Sequence, residues 1–131
     1  MIYVGIDVAK EKHDCCILGP GGEVLRDSFT FANNRGGFND LLAAIRTLLK
    51  ERSRDEVRAG LEATGHYSTN LVAFLRGNGF EPVVLNPLSV SLFRKSQTLR
   101  KTKTDKADAR FIAAMLLTSD ASPHASASPL G

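Results

Sequence analysis

The chain opens on an apolar run in which Ile2, Val4, Ile6 and Val8 alternate with Tyr3, Gly5 and Asp7. Period-2 alternation sends the two sets to opposite faces, and their largely apolar character predicts a central strand buried on both sides. A second strand is predicted over His13–Leu18, closed by the turn residues Gly19-Pro20-Gly21-Gly22, and a third over Val24–Phe31. Short connections make these three an antiparallel meander. Asn33-Asn34-Arg35-Gly36-Gly37 then breaks the pattern. Phe38, Leu41, Leu42, Ile45, Leu48 and Leu49 recur at helical spacing, which predicts an amphipathic helix over residues 38–51. Val57–Glu62 alternates again as a strand, with Val57, Ala59 and Leu61 opposite Arg58, Gly60 and Glu62. Tyr67–Asn78 reads as a helix with Leu71, Val72 and Leu75 inward, ended by Gly77 and Gly79. Pro82–Asn86 reads as a fifth strand, and residues 88–103 as a short helix followed by a basic loop. A last helix is predicted from Asp105 to Leu117, with Ala107, Phe111, Ala114 and Met115 inward. The Ser-, Ala- and Pro-rich residues 119–131 read as a flexible tail.

The order β-β-β-α-β-α-β-α, joined by right-handed crossovers, sets the fourth and fifth strands parallel to the first. The expected fold is therefore α/β: a mixed five-stranded sheet of order 3-2-1-4-5 with helices on both faces, the ribonuclease-H-like arrangement, in one domain over residues 1–118. Composition agrees with that. The chain has 131 residues, 43% hydrophobic and 24% charged, enough to bury a core without a disulfide or metal staple. It is not the composition of a disordered, collagen-like or disulfide-scaffold protein. No apolar run approaches the roughly 18 residues of a membrane span, and Asp7, Lys10 and Glu11 interrupt any leader-like start. A cytoplasmic protein with no membrane partner is expected. The adjacent Cys15 and Cys16 should point to opposite faces as buried or half-buried thiols, neither bridged nor zinc-binding. His13, His66 and His124 have no zinc spacing, and no Walker-type phosphate loop is present.

Charge is where the chain departs from the ordinary. The net charge is only +3, but seven basic residues (Arg94, Lys95, Arg100, Lys101, Lys103, Lys106, Arg110) and two acidic ones lie between positions 94 and 110, a local +5. Such a segment fits a polyanion-facing surface, although a basic run is more often only a solvated face.

Four carboxylates give that surface a chemistry. In open α/β sheets ligands bind beyond the carboxyl ends of parallel strands, where the strand order reverses. Here the switch falls between strands 1 and 4, whose ends carry Asp7 and Glu62. Each follows a glycine by two residues, Gly5 and Gly60, which leaves room on the carboxylate's own face. Asp105 and Asp108 share one face at the start of the last helix. If that helix returns to the same mouth, four like charges converge and want cations, with Mg²⁺ or Mn²⁺ in a two-metal arrangement the natural choice. The plainer alternative makes Asp105 and Asp108 helix caps, Glu62 a cap of the following helix, and Lys10 the partner of Asp7. His66 and Tyr67 are candidates to line the mouth.

Four segments together are recognisable. Val4-Gly5-Ile6-Asp7-Val8-Ala9-Lys10, Leu61-Glu62-Ala63-Thr64-Gly65-His66-Tyr67, Val84-Leu85-Asn86-Pro87 and Lys101-Thr102-Lys103-Thr104-Asp105-Lys106-Ala107-Asp108-Ala109 resemble successive motifs of the DEDD transposases of bacterial insertion sequences. That group includes the Piv invertase and the bridge-RNA-guided recombinases. The resemblance implies a RuvC-like domain with a catalytic, metal-binding tetrad at Asp7, Glu62, Asp105 and Asp108. It also implies DNA strands as substrate, a guide RNA as a further candidate partner, and a homo-oligomer in the full-length family. Arg94, Lys95, Arg100, Lys101, Lys103 and Lys106 would then contact nucleic-acid phosphates. Family members continue into a second domain containing a serine implicated in strand exchange. This chain is therefore expected to be one domain of the recombinase, incomplete as an enzyme alone, and no residue here takes the serine's role. Two other functions compete: a noncatalytic nucleic-acid-binding or assembly fragment of a transposase, and half of an actin-like or sugar-kinase ATPase, for which the second Gly-rich segment is missing.

Overall fold

A computed structural model describes residues 1–50, 56–62, 65–98 and 108–121. The meander forms as expected: β1 (Ile2–Asp7), β2 (Lys12–Leu18) and β3 (Val24–Ala32) pair antiparallel. After α1 (Arg35–Leu49), strand β4 (Val57–Glu62) lies parallel to β1, and after α2 (Thr69–Gly77) the short β5 (Val83–Leu85) lies parallel to β4. The sheet order is β3-β2-β1-β4-β5. Two helices complete the chain, α3 (Pro87–Thr98) and α4 (Asp108–Ala121). None of the helices among the described residues is long and apolar enough to cross a membrane.

Alternation in β1 builds two cores. Ile2, Val4 and Ile6 point to one face, where Cys15, Ile17, Phe38, Leu41, Ile45, Leu71 and Leu75 enclose them under α1 and α2. Tyr3 points to the other, with Cys16, Leu18, Ala109, Ala113 and Leu116 under α4. The adjacent cysteines thus serve opposite cores. Both are free, and burial pushes both thiols above their usual range. Each fully buried Ile or Leu in these layers is worth about 1.5–3 kcal/mol of transfer free energy.

The start of α1, the end of α4 and the inner face of α4 differ most from the pattern-based expectation, the other boundaries among the described residues moving by at most two residues. The segment 33–37 is not a break. Asn34 caps α1, its side chain accepting from the Gly37 N–H at 2.8 Å, so Arg35, Gly36 and Gly37 belong to the helix. Gly37 is needed there because a Cβ would collide with the Ala32 backbone. In α4 the buried residues are Ala109, Ile112, Ala113 and Leu116, whereas Phe111, Ala114 and Met115 are only half-buried. The helix also continues past Leu117, and Asp120 in its last turn accepts from Tyr3 Oη at 3.0 Å and from Arg58 Nε at 3.1 Å. Ala107 and residues 122–131 lie outside the described residues. The end of α2 agrees with expectation: Gly79 has φ +89°, and the Phe80 N–H returns to the Leu75 carbonyl at 3.0 Å.

Candidate functional site

The register fixes the first two carboxylates. Ile6 pairs with Leu61 across the parallel β1–β4 ladder, and one step further sets Asp7 beside Glu62 where both strands end. Parallel neighbours share a face, and adjacent strands lie about 4.8 Å apart. Both residues are half-buried. Their face is that of Gly5 and Gly60, and it is covered by α4.

The two glycines admit that helix. A Cβ on Gly5 would strike the Ala109 carbonyl oxygen and the Ala113 nitrogen, and would come within 2.9 Å of Ala113 Cα. On Gly60 it would meet Leu116 Cδ2 at 2.8 Å. Gly5 therefore lies under the first turns of α4, and Tyr3 and Arg58 hold Asp120 in its last turn. The helix thus runs antiparallel to β1, starting at the carboxyl end of the strands. Asp108 is its first residue, immediately before Ala109. The backbone accordingly brings Asp108 to the end of the sheet that holds Asp7 and Glu62. Asp105 lies outside the described residues.

A third acidic position escaped the sequence reading. Asp7 pairs with Asp14 across the antiparallel β1–β2 ladder, so Asp14, Asp7 and Glu62 stand at successive strand positions on the α4 face. Asp14 is exposed, and its Oδ1 accepts from Thr30 Oγ1 at 2.7 Å. The signal was present in the Asp14, Cys16, Leu18 alternation, but the strand pairing was needed to see which carboxylate it met. Beside it an open groove of about 510 Å³ is lined by Ala9, Lys10, Glu11, Lys12, Asp14 and Thr30.

Oxygen-only donors on adjacent strands suit a hard divalent cation better than a soft one. Asp7 and Glu62 supply two such donors. Among the described residues no three His, Cys, Asp or Glu side chains gather to share a metal ion. Asp14 thus flanks the pair without completing a ligand set.

The polar surroundings are ordered. His13 is fully buried against Phe31 and Phe38, and its Nδ1 accepts from the Ala9 N–H at 3.1 Å. Burial holds its pKa below the usual range, with Asn33 and Asp14 pulling the other way. His66 and Tyr67 touch each other, ring centroids 4.9 Å apart, in the exposed segment after Glu62. Of the basic residues, Lys95 is exposed on α3, while Arg94 is half-buried with its guanidinium 5.1 Å above the Phe111 ring, linking α3 to α4. Arg100, Lys101, Lys103 and Lys106 lie outside the described residues.

Comparison with known proteins bears on the fold and the family. Residues 4–129 match the IS110-type DEDD family, described as transposase. The chain is 32% identical over 111 residues to the pilin gene-inverting protein of Moraxella bovis, covering 85% of this chain and 33% of that protein. It thus spans about one third of the length of that relative. Among solved structures, Thermus thermophilus RuvC bound to a Holliday junction substrate superposes with a TM-score of 0.60 at 12% identity, over 92% of this chain and 95% of RuvC. The fowlpox virus Holliday junction resolvase superposes with a TM-score of 0.53 at 15% identity, over 91% and 99%. At such identities the likeness establishes the fold, which is RuvC-like. The chain belongs to the DEDD transposase family.

Proposed function

We propose that this chain is the N-terminal, catalytic-type domain of an insertion-sequence transposase, which binds nucleic acid and divalent metal for DNA strand cleavage and recombination. The observation that carries the proposal is the strand register that sets Asp7 beside Glu62 at the mouth where α4 begins with Asp108. The relative named for inverting a gene, and the resolvase-like fold, support DNA as the substrate.

Asp7, Glu62, Asp105 and Asp108 would hold Mg²⁺ or Mn²⁺, two ions in the fullest form. Bound there, the metal supplies Lewis-acid stabilisation of the charge that develops on a phosphodiester during in-line displacement. The chain's own part is positional. Gly5 and Gly60 admit α4, β1 and β4 fix two carboxylates on rigid strand ends, and the clamp of Tyr3 and Arg58 on Asp120 anchors the helix at its far end. Lys95, with Arg100, Lys101, Lys103 and Lys106, would bind backbone phosphates without reading sequence, so affinity should fall linearly in log–log form as salt rises.

The test is binding of fluorescent branched and duplex DNA with Mg²⁺ and with chelator, for wild type and Asp7→Asn. The proposal predicts salt-sensitive binding that Mg²⁺ tightens in wild type only. An equal Mg²⁺ increment in both proteins would overturn it in favour of a noncatalytic binding fragment.

A further inference from the structure

We propose that Asn33 and His13 are positioning residues that lock together the two loops leaving the acidic pair; the inference rests on the site proposed above. Asn33 follows the last residue of β3, and its side chain reaches across the mouth of the sheet. Its Nδ2–H donates to the Lys10 carbonyl at 2.9 Å and to the Tyr67 carbonyl at 3.5 Å, and its backbone N–H donates to the Glu11 carbonyl at 2.8 Å. Lys10 and Glu11 lie in the turn that begins just after Asp7. Tyr67 lies in the segment between Glu62 and α2. One amide therefore ties the loop after the first carboxylate to the loop after the second.

His13 completes the tie from below. Its Nδ1 takes the Ala9 N–H, so the neutral ring carries its proton on Nε2. That Nε2 is sealed from solvent with no hydrogen-bond partner among the described residues, and so is Asn33 Oδ1. With Asn33 Nδ2 committed to two carbonyls, Oδ1 is the complementary acceptor for the Nε2–H, each being the match the other lacks. The rings of Phe31 and Phe38, with centroids 5.3 and 6.4 Å from the imidazole, leave the ring little freedom to turn. Ala9, Lys10, Glu11 and Tyr67 are thus all referred to one polar pair, the buried His13 and the half-buried Asn33. Outer groups of this kind set the geometry of ligating side chains, and losing one commonly weakens metal affinity by roughly 10–100-fold.

The test compares wild type with Asn33→Asp, which keeps the shape but cannot donate to the two carbonyls, and with Asn33→Ala should the added charge prevent folding. Ile45→Val, a buried change on α1, serves as the control for ordinary core loosening. Backbone amide shifts, the ring ¹⁵N signature of His13 and Mn²⁺ affinity are read on each. The expected result is joint displacement of the amides at 8–11 and 65–68 and Mn²⁺ binding weakened by about tenfold, with the single Nε2–H tautomer kept in Asn33→Asp, whose carboxylate still accepts from it, and lost in Asn33→Ala. Loops that stay in place, or that move equally in Ile45→Val, would overturn the inference. So would displaced loops with unchanged Mn²⁺ affinity, an outcome that leaves the metal reading intact. Wild type that binds no Mn²⁺ while the loops still move together would sink the metal reading instead and uphold the tie.

Discussion

Replacing Gly5 by alanine tests the seat of α4 without touching a carboxylate. The new methyl would meet the backbone of α4, the Ala109 carbonyl and the Ala113 nitrogen and Cα, none of which can rotate away. The helix must lift or tilt, opening the core formed by Tyr3, Cys16, Leu18, Ala109, Ala113 and Leu116. Overpacking costs about 1–3 kcal/mol, and contact with backbone puts this site at or above the top of that range. Gly5 is not at positive φ, so alanine also stiffens the unfolded chain and returns about 0.4–1 kcal/mol. The net loss is about 2–3 kcal/mol, or roughly 8–12 °C in Tm for a domain of this size. Gly60→Ala is the internal comparison. Its methyl meets the branched end of Leu116 at 2.8–2.9 Å, which can shift, so the same sum gives about 0–1 kcal/mol. Thermal and urea unfolding of the three proteins decide the matter. Equal losses in the two variants, or a Gly5→Ala loss below about 0.5 kcal/mol, would refute the close seating of α4 over β1.

Two further outcomes follow from buried titratable groups. Burial lowers the His13 pKa below its usual 6.5, so the unfolded chain binds that proton more readily; the stabilisation is complete above pH 6.5 and is lost as pH falls toward the folded-state value. Urea midpoints measured from about pH 7.5 down to about pH 5.5 should fall in wild type and flatten in His13→Gln; parallel slopes would contradict this. Tyr3 is raised above 10 by burial and by its hydrogen bond to Asp120, so its contribution is present below pH 10 and lost as pH rises through the folded-state value. In Asp120→Asn the tyrosinate absorbance should appear at lower pH, with a stability cost under about 1 kcal/mol because the Arg58–Asp120 pair is partly exposed.

The strands and their order were legible because period-2 alternation states directly which residues share a face, and crossover handedness does the rest. That was enough to place Asp7 and Glu62 together. The start of α1 was misread because Gly36 and Gly37 look like breakers, yet the Asn34 cap and the close approach to Ala32 make glycine the fitting residue. The inner face of α4 was misread for a tertiary reason. Apolar side chains occur on several sides of that helix, and the hole left in the sheet by Gly5 and Gly60 selects Ala109, Ala113 and Leu116 rather than Phe111 and Met115. Asn33 looked like a turn residue, since its partners Lys10 and Tyr67 are 23 and 34 positions away.

Whether Asp7, Glu62, Asp105 and Asp108 form one cation site is decided by thermal unfolding across Mg²⁺ and Mn²⁺ titrations. Binding stabilises the folded chain by RT ln(1 + [L]/Kd), about 2.7 kcal/mol at a hundredfold excess over Kd, so wild-type Tm should climb with metal by roughly 10 °C. Asp7→Asn should lose that climb and, with one like charge removed, should start above wild type in metal-free buffer. A wild-type Tm indifferent to metal, or an equal climb in Asp7→Asn, would contradict a shared site and leave the carboxylates as caps and surface charges.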